Sequence, residues 1–138
     1  MTLTPDVLAT THAASFSDQR PWSAAEFATL LQSPGLILCG DARSFILGRV
    51  VADEAEVLTV ATRPEDRRQG LAATCLAQFV IAAKAAGATW AFLEVADDNE
   101  AAKRLYLNQE FIVTGRRPRY YTRPDSRRVD ALVMQKRL

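Results

Sequence analysis

Three places in the chain carry residue types that could do chemistry. The first is Arg67-Arg68-Gln69-Gly70-Leu71-Ala72, a basic, glycine-containing turn ahead of a long apolar run. If that run is a helix, its first N–H groups have no intrahelical acceptor and lie at the positive end of the helix dipole. Such a terminus binds phosphate. Gly70 lets the backbone approach closely, Ala72 keeps the first turn uncrowded, and Arg67 and Arg68 add charge. No Gly-Lys-Ser/Thr follows, so the turn is not a P-loop, and the Gly-x-Gly of a dinucleotide fingerprint is missing. Taken alone, the same residues would also serve as a solvated basic turn.

The second place is Glu94. In the run 89–96, Trp90, Phe92, Glu94 and Ala96 share one face by the period of two. A carboxylate on an apolar face is either a proton acceptor whose pKa burial has raised or a strand-end side chain that reaches water or an arginine. The third is Tyr106, twelve residues on, in a predicted helix that begins at Asn99. A phenol there either donates a proton or packs between helix and sheet. Asn99 suits the N-cap of that helix. Cys75 sits mid-run among apolar residues and reads as core, and His12 reads as a helix-surface residue without a role. With one histidine and no Cys/His cluster, no metal site is expected.

The elements that must position these groups follow from pattern. Thr4-Pro5 caps and opens a helix running to Ser15, and Ser23 to Glu26 is a capping box that starts a second. Runs at 36–39, 44–51 and 56–61, with turns at Gly40-Asp41 and Asp53-Glu54, predict an antiparallel meander. A helix over 71–86, apolar on most of its surface and ended by Gly87, should be buried. A strand at 89–96, the helix from Asn99 to Asn108, and strands at 111–114 and 129–136 complete an α/β domain with a mixed sheet, one domain over 1–138.

Composition narrows the function classes. Hydrophobic residues at 49% and charged residues at 24% predict a globular fold. A net charge of +1 gives no overall pull toward nucleic acid or anionic membrane, although 116–138 holds eight Lys/Arg against two Asp. No apolar run reaches a membrane-spanning length and no leader pattern opens the chain, so a cytoplasmic enzyme with two buried free thiols, Cys39 and Cys75, is expected.

Taken together the motifs resemble the GNAT superfamily of acetyl-CoA-dependent N-acetyltransferases, and within it the RimI-like ribosomal-protein-alanine N-acetyltransferases. The resemblance runs through Arg20-Pro21-Trp22-Ser23 with Phe27, Leu58 to Ala61 with Pro64 and Arg67 to Ala72, and Leu93-Glu94-Val95 with Asn99, Leu105-Tyr106 and Phe111. Arg119-Tyr120-Tyr121 and Asp130 to Met134 close it. It implies an antiparallel N-terminal meander, a splayed parallel pair at 56–62 and 89–96, and closing antiparallel strands, all flanked by helices. Acetyl-CoA is the implied co-substrate, with its diphosphate on Arg67, Arg68, Gln69, Gly70, Leu71 and Ala72 and its pantetheine paired with the backbone of Val60, Ala61 and Thr62. Asn99 would also contact it.

By the same resemblance Glu94 is the general base, directly or through a water, and Tyr106 the acid that meets the departing thiolate. A backbone N–H near Ala61 or Thr62 would polarise the acetyl carbonyl. The implied acceptor is a peptide N-terminus, that of a ribosomal protein included, held by Trp22, Tyr120 and Tyr121. Two departures stand out. Gln109-Glu110-Phe111 replaces the usual Leu-Gly-Phe, which predicts a different turn because a non-glycine residue is disfavoured at positive φ. Asp97-Asp98 adds two acids that would either weaken coenzyme attraction or favour a cationic acceptor. A small-amine acetyltransferase, or a non-catalytic acyl-CoA- or ribosome-binding module using the C-terminal arginines, stays open as an alternative. The sequence does not give the oligomeric state.

Overall fold

The computed structural model describes residues 3–16 and 20–138. In chain order it contains α1 (Pro5–Ser15), α2 (Ala24–Leu31), β1 (Leu36–Gly40), β2 (Ser44–Val51), β3 (Glu54–Thr62), a 3-10 turn (Pro64–Asp66), α3 (Leu71–Ala85), β4 (Trp90–Ala96), α4 (Glu100–Asn108), β5 (Ile112–Thr122) and β6 (Arg128–Arg137). Local chemistry sets the helix starts. The Thr4 side chain accepts from the Val7 N–H, and Ser23 and Glu26 cap α2 reciprocally.

The six strands form one mixed sheet in the order β1-β2-β3-β4-β6-β5. β1, β2 and β3 are the expected meander, with the β2–β3 turn at Ala52-Asp53, one residue earlier than predicted, because Val51 pairs with Glu54. β3 and β4 run parallel but pair only at Glu54–Trp90, Ala55–Ala91 and Glu56–Phe92. Beyond Glu56 the two part. β4 stays in the sheet because β6 pairs with its whole length, from Trp90–Arg137 to Ala96–Ala131.

Two cores lie on opposite faces. One holds Ile46, Val57, Leu76, Phe79, Leu93, Val95 and Tyr106 beneath α3 and α4. The other holds Leu8, Phe27, Phe45, Leu47 and Ala61 beneath α1 and α2. Helix α3 is not buried all round as its composition suggested. It buries one stripe, Cys75, Leu76, Phe79 and Ala83, and leaves Ile81 70% exposed. Its remaining alanines supply helix propensity rather than burial. The helix comes down onto β2 at Gly48, where a Cβ would lie 2.4 Å from the Phe79 ring.

That close approach coincides with a bulge. Leu47 pairs with Thr59 and Gly48 with Val57, so Leu58 is an extra residue in β3. Val57 and Val60 consequently both pack toward α3, while Leu58 and Ala61 pack toward α1 and α2.

Candidate active site

After Thr62 the chain passes through the 3-10 turn into the Arg67–Ala72 segment. Arg68 is at φ +64° and Gly70 at φ +75°. Successive N–H groups in such alternating conformations point to one side and make an anion-binding concavity. No side chain caps α3, and its first intrahelical bond is Thr74 N–H to the Gly70 carbonyl at 3.1 Å. The N–H groups ahead of that bond have no intrahelical acceptor. Nothing lies within 4 Å of where a Gly70 Cβ would sit. The turn therefore fits a diphosphate. Arg67 is directed elsewhere, since its Nη2 donates to the Ser15 carbonyl at 2.8 Å.

Where β3 leaves β4, one strand edge loses its partner. The Arg63 N–H donates to the carbonyl of Arg43, the residue before β2. By alternation the Ala61 N–H also points to β2, and those of Val60 and Thr62 point into the gap. The Thr62 N–H is already used, donating to Ser15 Oγ at 3.1 Å. This corrects the expectation that Ala61 or Thr62 offers a free donor. Of residues 60–62, Val60 turns an N–H toward the gap with no strand opposite it.

Glu94 lies on β4 beyond the point of splaying, on the α1–α2 face, with its side chain 28% exposed and Arg117 Nη2 at 3.0 Å from Oε1. Tyr106 comes from α4 on the other face and is 6% exposed. It packs edge-on to Phe111 with centroids 5.8 Å apart. Burial pushes its phenol well above the ordinary range, so the hydroxyl keeps its proton. Asn99 caps α4, its Oδ1 accepting from the Ala102 N–H at 3.1 Å.

The β5–β6 hairpin is longer than predicted, and Tyr120 and Tyr121 lie on it. Arg117 pairs with Ala131 and Tyr121 with Val129, so Pro118, Arg119 and Tyr120 bulge opposite Asp130. Asp130 holds the bulge by accepting from the Arg119 N–H (2.8 Å) and from Arg116 (2.7 Å). Tyr120 and Tyr121 meet edge to face at 5.1 Å, with Arg117 over the first ring and Arg123 over the second. Burial and the nearby Glu94 charge raise the Tyr121 phenol.

Trp22 lines a separate groove of about 470 Å³ with Glu26, Thr29, Leu30, Arg49 and Leu58. Leu58 connects that groove to the bulge of β3. Neither tyrosine contributes to its lining.

Three expectations need correction. Asp97 and Asp98 are not open to a ligand. Asp97 pairs with Lys103 and Arg116 at 3.0 Å each, and Asp98 pairs with Arg123 and Arg127. These bonds hold both carboxyls below their ordinary range. They also occupy three of the C-terminal arginines that a nucleic-acid contact would need, Arg116, Arg123 and Arg127. Glu110 itself takes the positive φ that glycine favours, +69°, while Gln109 ties α4 to α3 by donating to the Ala73 carbonyl. His12 is fully buried rather than on the surface. Its Nδ1 accepts from the Trp22 N–H at 3.2 Å, the two rings stack at 5.0 Å, and burial depresses its pKa to about 4. Of the two free thiols, Cys75 is buried and Cys39 only half-buried.

Comparison with known proteins fits this geometry. The model of the Acetyltransferase (GNAT) family matches residues 9–111. The [Ribosomal protein bS18]-alanine N-acetyltransferase of Escherichia coli (strain K12) is 31% identical over 135 residues, covering 95% of this chain and 90% of that protein. The chain belongs to the GNAT acetyltransferase family.

Solved GNAT structures agree in fold. The ribosomal-protein-S18-alanine N-acetyltransferase from Escherichia coli superposes with a TM-score of 0.85 at 27% identity, over 96% of this chain and 86% of that one. Arabidopsis thaliana NAA60 in complex with acetyl-CoA shares the fold alone, with a TM-score of 0.81 at 14% identity over 97% and 93%. As a GNAT enzyme the protein is an acetyl-CoA-dependent N-acetyltransferase, and acetyl-CoA is its co-substrate. No cluster of His, Cys, Asp or Glu suited to a metal occurs among the described residues. Nor is any helix among them long and apolar enough to cross a membrane.

Sequence reasoning missed three participants in this GNAT framework. Ser15 bonds both Thr62 and Arg67 across 47 and 52 residues, and Arg117 reaches Glu94 from another strand. Neither contact leaves a local pattern. The Leu58 bulge had one trace, Gly48 in the interior of a mostly apolar strand, since an interior strand glycine marks close backbone approach.

Proposed function

We propose that this GNAT enzyme acetylates the N-terminal α-amino group of a protein, in the manner of the bS18-alanine N-acetyltransferase it resembles. The observation that carries the reading is the acceptor side. An open groove, apolar at Trp22, Leu30 and Leu58 and charged at Glu26 and Arg49, leads to the β3 bulge. An extended peptide fits such a surface, whereas a small amine gains little from it. The aromatic pair Tyr120–Tyr121, on the β5–β6 hairpin outside that groove, offers a further surface for peptide backbone.

Acetyl-CoA supplies the acyl group as a thioester. In this reading the chain's own groups do the rest. Arg68 and the N–H groups of the Gln69–Ala72 turn hold the diphosphate. The Val60 N–H donates to the acyl carbonyl oxygen. An α-amino group with a pKa of about 8 arrives largely protonated at neutral pH, and Glu94 takes that proton, directly or through a water. The amine nitrogen bonds to the acyl carbon as the carbon–sulfur bond breaks, and the nitrogen's surplus proton leaves to water. Tyr106, kept neutral by burial, donates to the departing sulfur. Cys75 takes no part, since burial raises its thiol and it lies in the core.

The test compares initial rates on an Ala-initiated ribosomal-protein peptide, the same peptide with a blocked N-terminus, and a panel of polyamines and amino acids. Turnover confined to the free-N-terminus peptide is expected. Turnover confined to the small amines would overturn the peptide reading, and calorimetry that finds no uptake of acetyl-CoA by folded protein would overturn the whole site.

A further inference from the structure

Glu94 does not stand alone, and its partner comes from a distant part of the chain. Arg117 Nη2 lies 3.0 Å from Glu94 Oε1, with the two side chains 57% and 28% exposed. Arg117 is the last paired residue of β5 before the hairpin bulge, which Asp130 clamps through the Arg119 N–H and Arg116. Its guanidinium rests over the Tyr120 ring at 5.4 Å. The other paired arginines of this hairpin meet aspartates: Arg116 meets Asp97 and Asp130, Arg123 meets Asp98, and Arg127 meets Asp98 and Asp125. Arg117 is directed at the carboxylate that faces the acceptor.

We propose that Arg117 is a positioning residue that holds Glu94 in a net-neutral pair, so that the site does not stabilise the protonated form of the incoming amine. The proposal rests on the reading of Glu94 as base. A bare carboxylate beside an ammonium favours the charged form. That would tighten acceptor binding and also withhold the neutral nucleophile. A cation on the same carboxylate cancels most of that field. The acceptor then titrates near its solution value, with Glu94 still placed to accept the proton.

The surroundings leave Arg117 in charge of this balance. From β6, the residue opposite Glu94 is Val133, which has no charge. From β5 come Arg117 and Tyr121, with Tyr120 and Arg123 beside Tyr121. Arg123 is committed to Asp98. Among the described residues of the α1–α2 layer the titratable groups are Asp6, His12, which is bonded to the Trp22 N–H, and the Arg20–Glu26 pair. β3 has parted from β4 before this level.

The experiment measures kcat, acceptor KM and their pH profiles for wild type, Arg117→Gln, Arg117→Lys, Glu94→Gln and the double variant, using the peptide acceptor that turns over. At roughly 4 Å in a half-exposed site, one removed charge shifts an ammonium titration by about one pH unit. Arg117→Gln is therefore expected to lower acceptor KM roughly three- to tenfold. It should also lower kcat at pH 7 about tenfold and move the alkaline rise of kcat upward by about one unit. Arg117→Lys should restore wild-type values to within about twofold, and the KM gain should vanish in the double variant.

An unchanged KM with an unmoved pH limb in Arg117→Gln overturns the proposal, and so does a raised KM, which would make Arg117 a peptide contact. The base reading fails separately, if Glu94→Gln keeps wild-type rates at every pH. Arg117 is surface-exposed, and an unchanged melting temperature and acetyl-CoA affinity will confirm that each variant is folded.

Discussion

In the proposed reading, the acyl-donor side and the acceptor side of the gap between β3 and β4 are built from different materials. On the donor side the walls are main chain: the uncapped start of α3, the left-handed residues Arg68 and Gly70, and the free edge of β3 at Val60. On the acceptor side they are side chains that hold one another: Glu94 with Arg117, Asp130 with Arg116 and the Arg119 N–H, and His12 stacked on Trp22. A coenzyme that does not vary can be bound by backbone, which almost any sequence can supply once the path is fixed. An acceptor that differs between enzymes is met by side chains, which change without disturbing the sheet.

The comparison can be broken or sharpened by experiment. The largest effect should come from Glu94→Gln, with kcat on a peptide acceptor falling about 10²–10³-fold at pH 7. The deficit should shrink toward pH 9, where free amine is abundant. A loss equally large at every pH would remove Glu94 as base.

Next is the acceptor layer's dependence on His12. Its folded pKa of about 4 lies below the ordinary 6.5, so the unfolded chain takes up the proton first as the pH falls. Stability from this group is complete above pH 6.5 and is lost on descending to pH 4, by up to about 3 kcal/mol. Urea melts of wild type against His12→Gln measure it, and equal slopes in that window would show that His12 does not titrate there.

On the donor side, Tyr106→Phe should lower kcat about 10–100-fold and leave acetyl-CoA affinity within about twofold, checked by single-turnover kinetics and calorimetry. Lost affinity with kcat preserved would make Tyr106 a binding residue. Gly70→Ala meets no neighbour but must hold φ +75°. It should cost about 1–2 kcal/mol, read as weaker acetyl-CoA binding or a lower melting temperature. Removal of the Arg67 side chain, which bonds Ser15 rather than facing the turn, should change coenzyme affinity less. The smallest effect should be a gain: Glu110→Gly relieves a left-handed non-glycine residue and should stabilise by about 1 kcal/mol.

Much of the frame was legible because short-range chemistry dictates it. Thr4, Ser23 and Asn99 cap the helices they were expected to cap, β2 spans Ser44–Val51 as its pattern predicts, and Gly70 marks the start of α3. Glu94 was legible as a carboxylate interrupting an apolar face. Illegible features depended on distant packing. Pro118 and Gly115 interrupt the pattern of β5, and a strand through Pro118 holds only because it is an edge strand with a bulge clamped by Asp130. His12 had no visible fate, because α1 has Thr10, Thr11 and His12 in succession and hence little amphipathic contrast. Only the docking of Trp22 and Phe27 around it buried the ring.

By itself the sequence determined the element order, the helix starts, the basic glycine turn ahead of α3 and the identities of the acid and base candidates, since each follows from residues a few positions apart. The tertiary structure alone decided that Ser15 occupies the Thr62 donor, that Asp97 and Asp98 are taken up by arginines, and that Arg117 faces Glu94. Those contacts join residues 19 to 47 positions apart. Their energies depend on where strands and helices come to rest, and local sequence does not encode that.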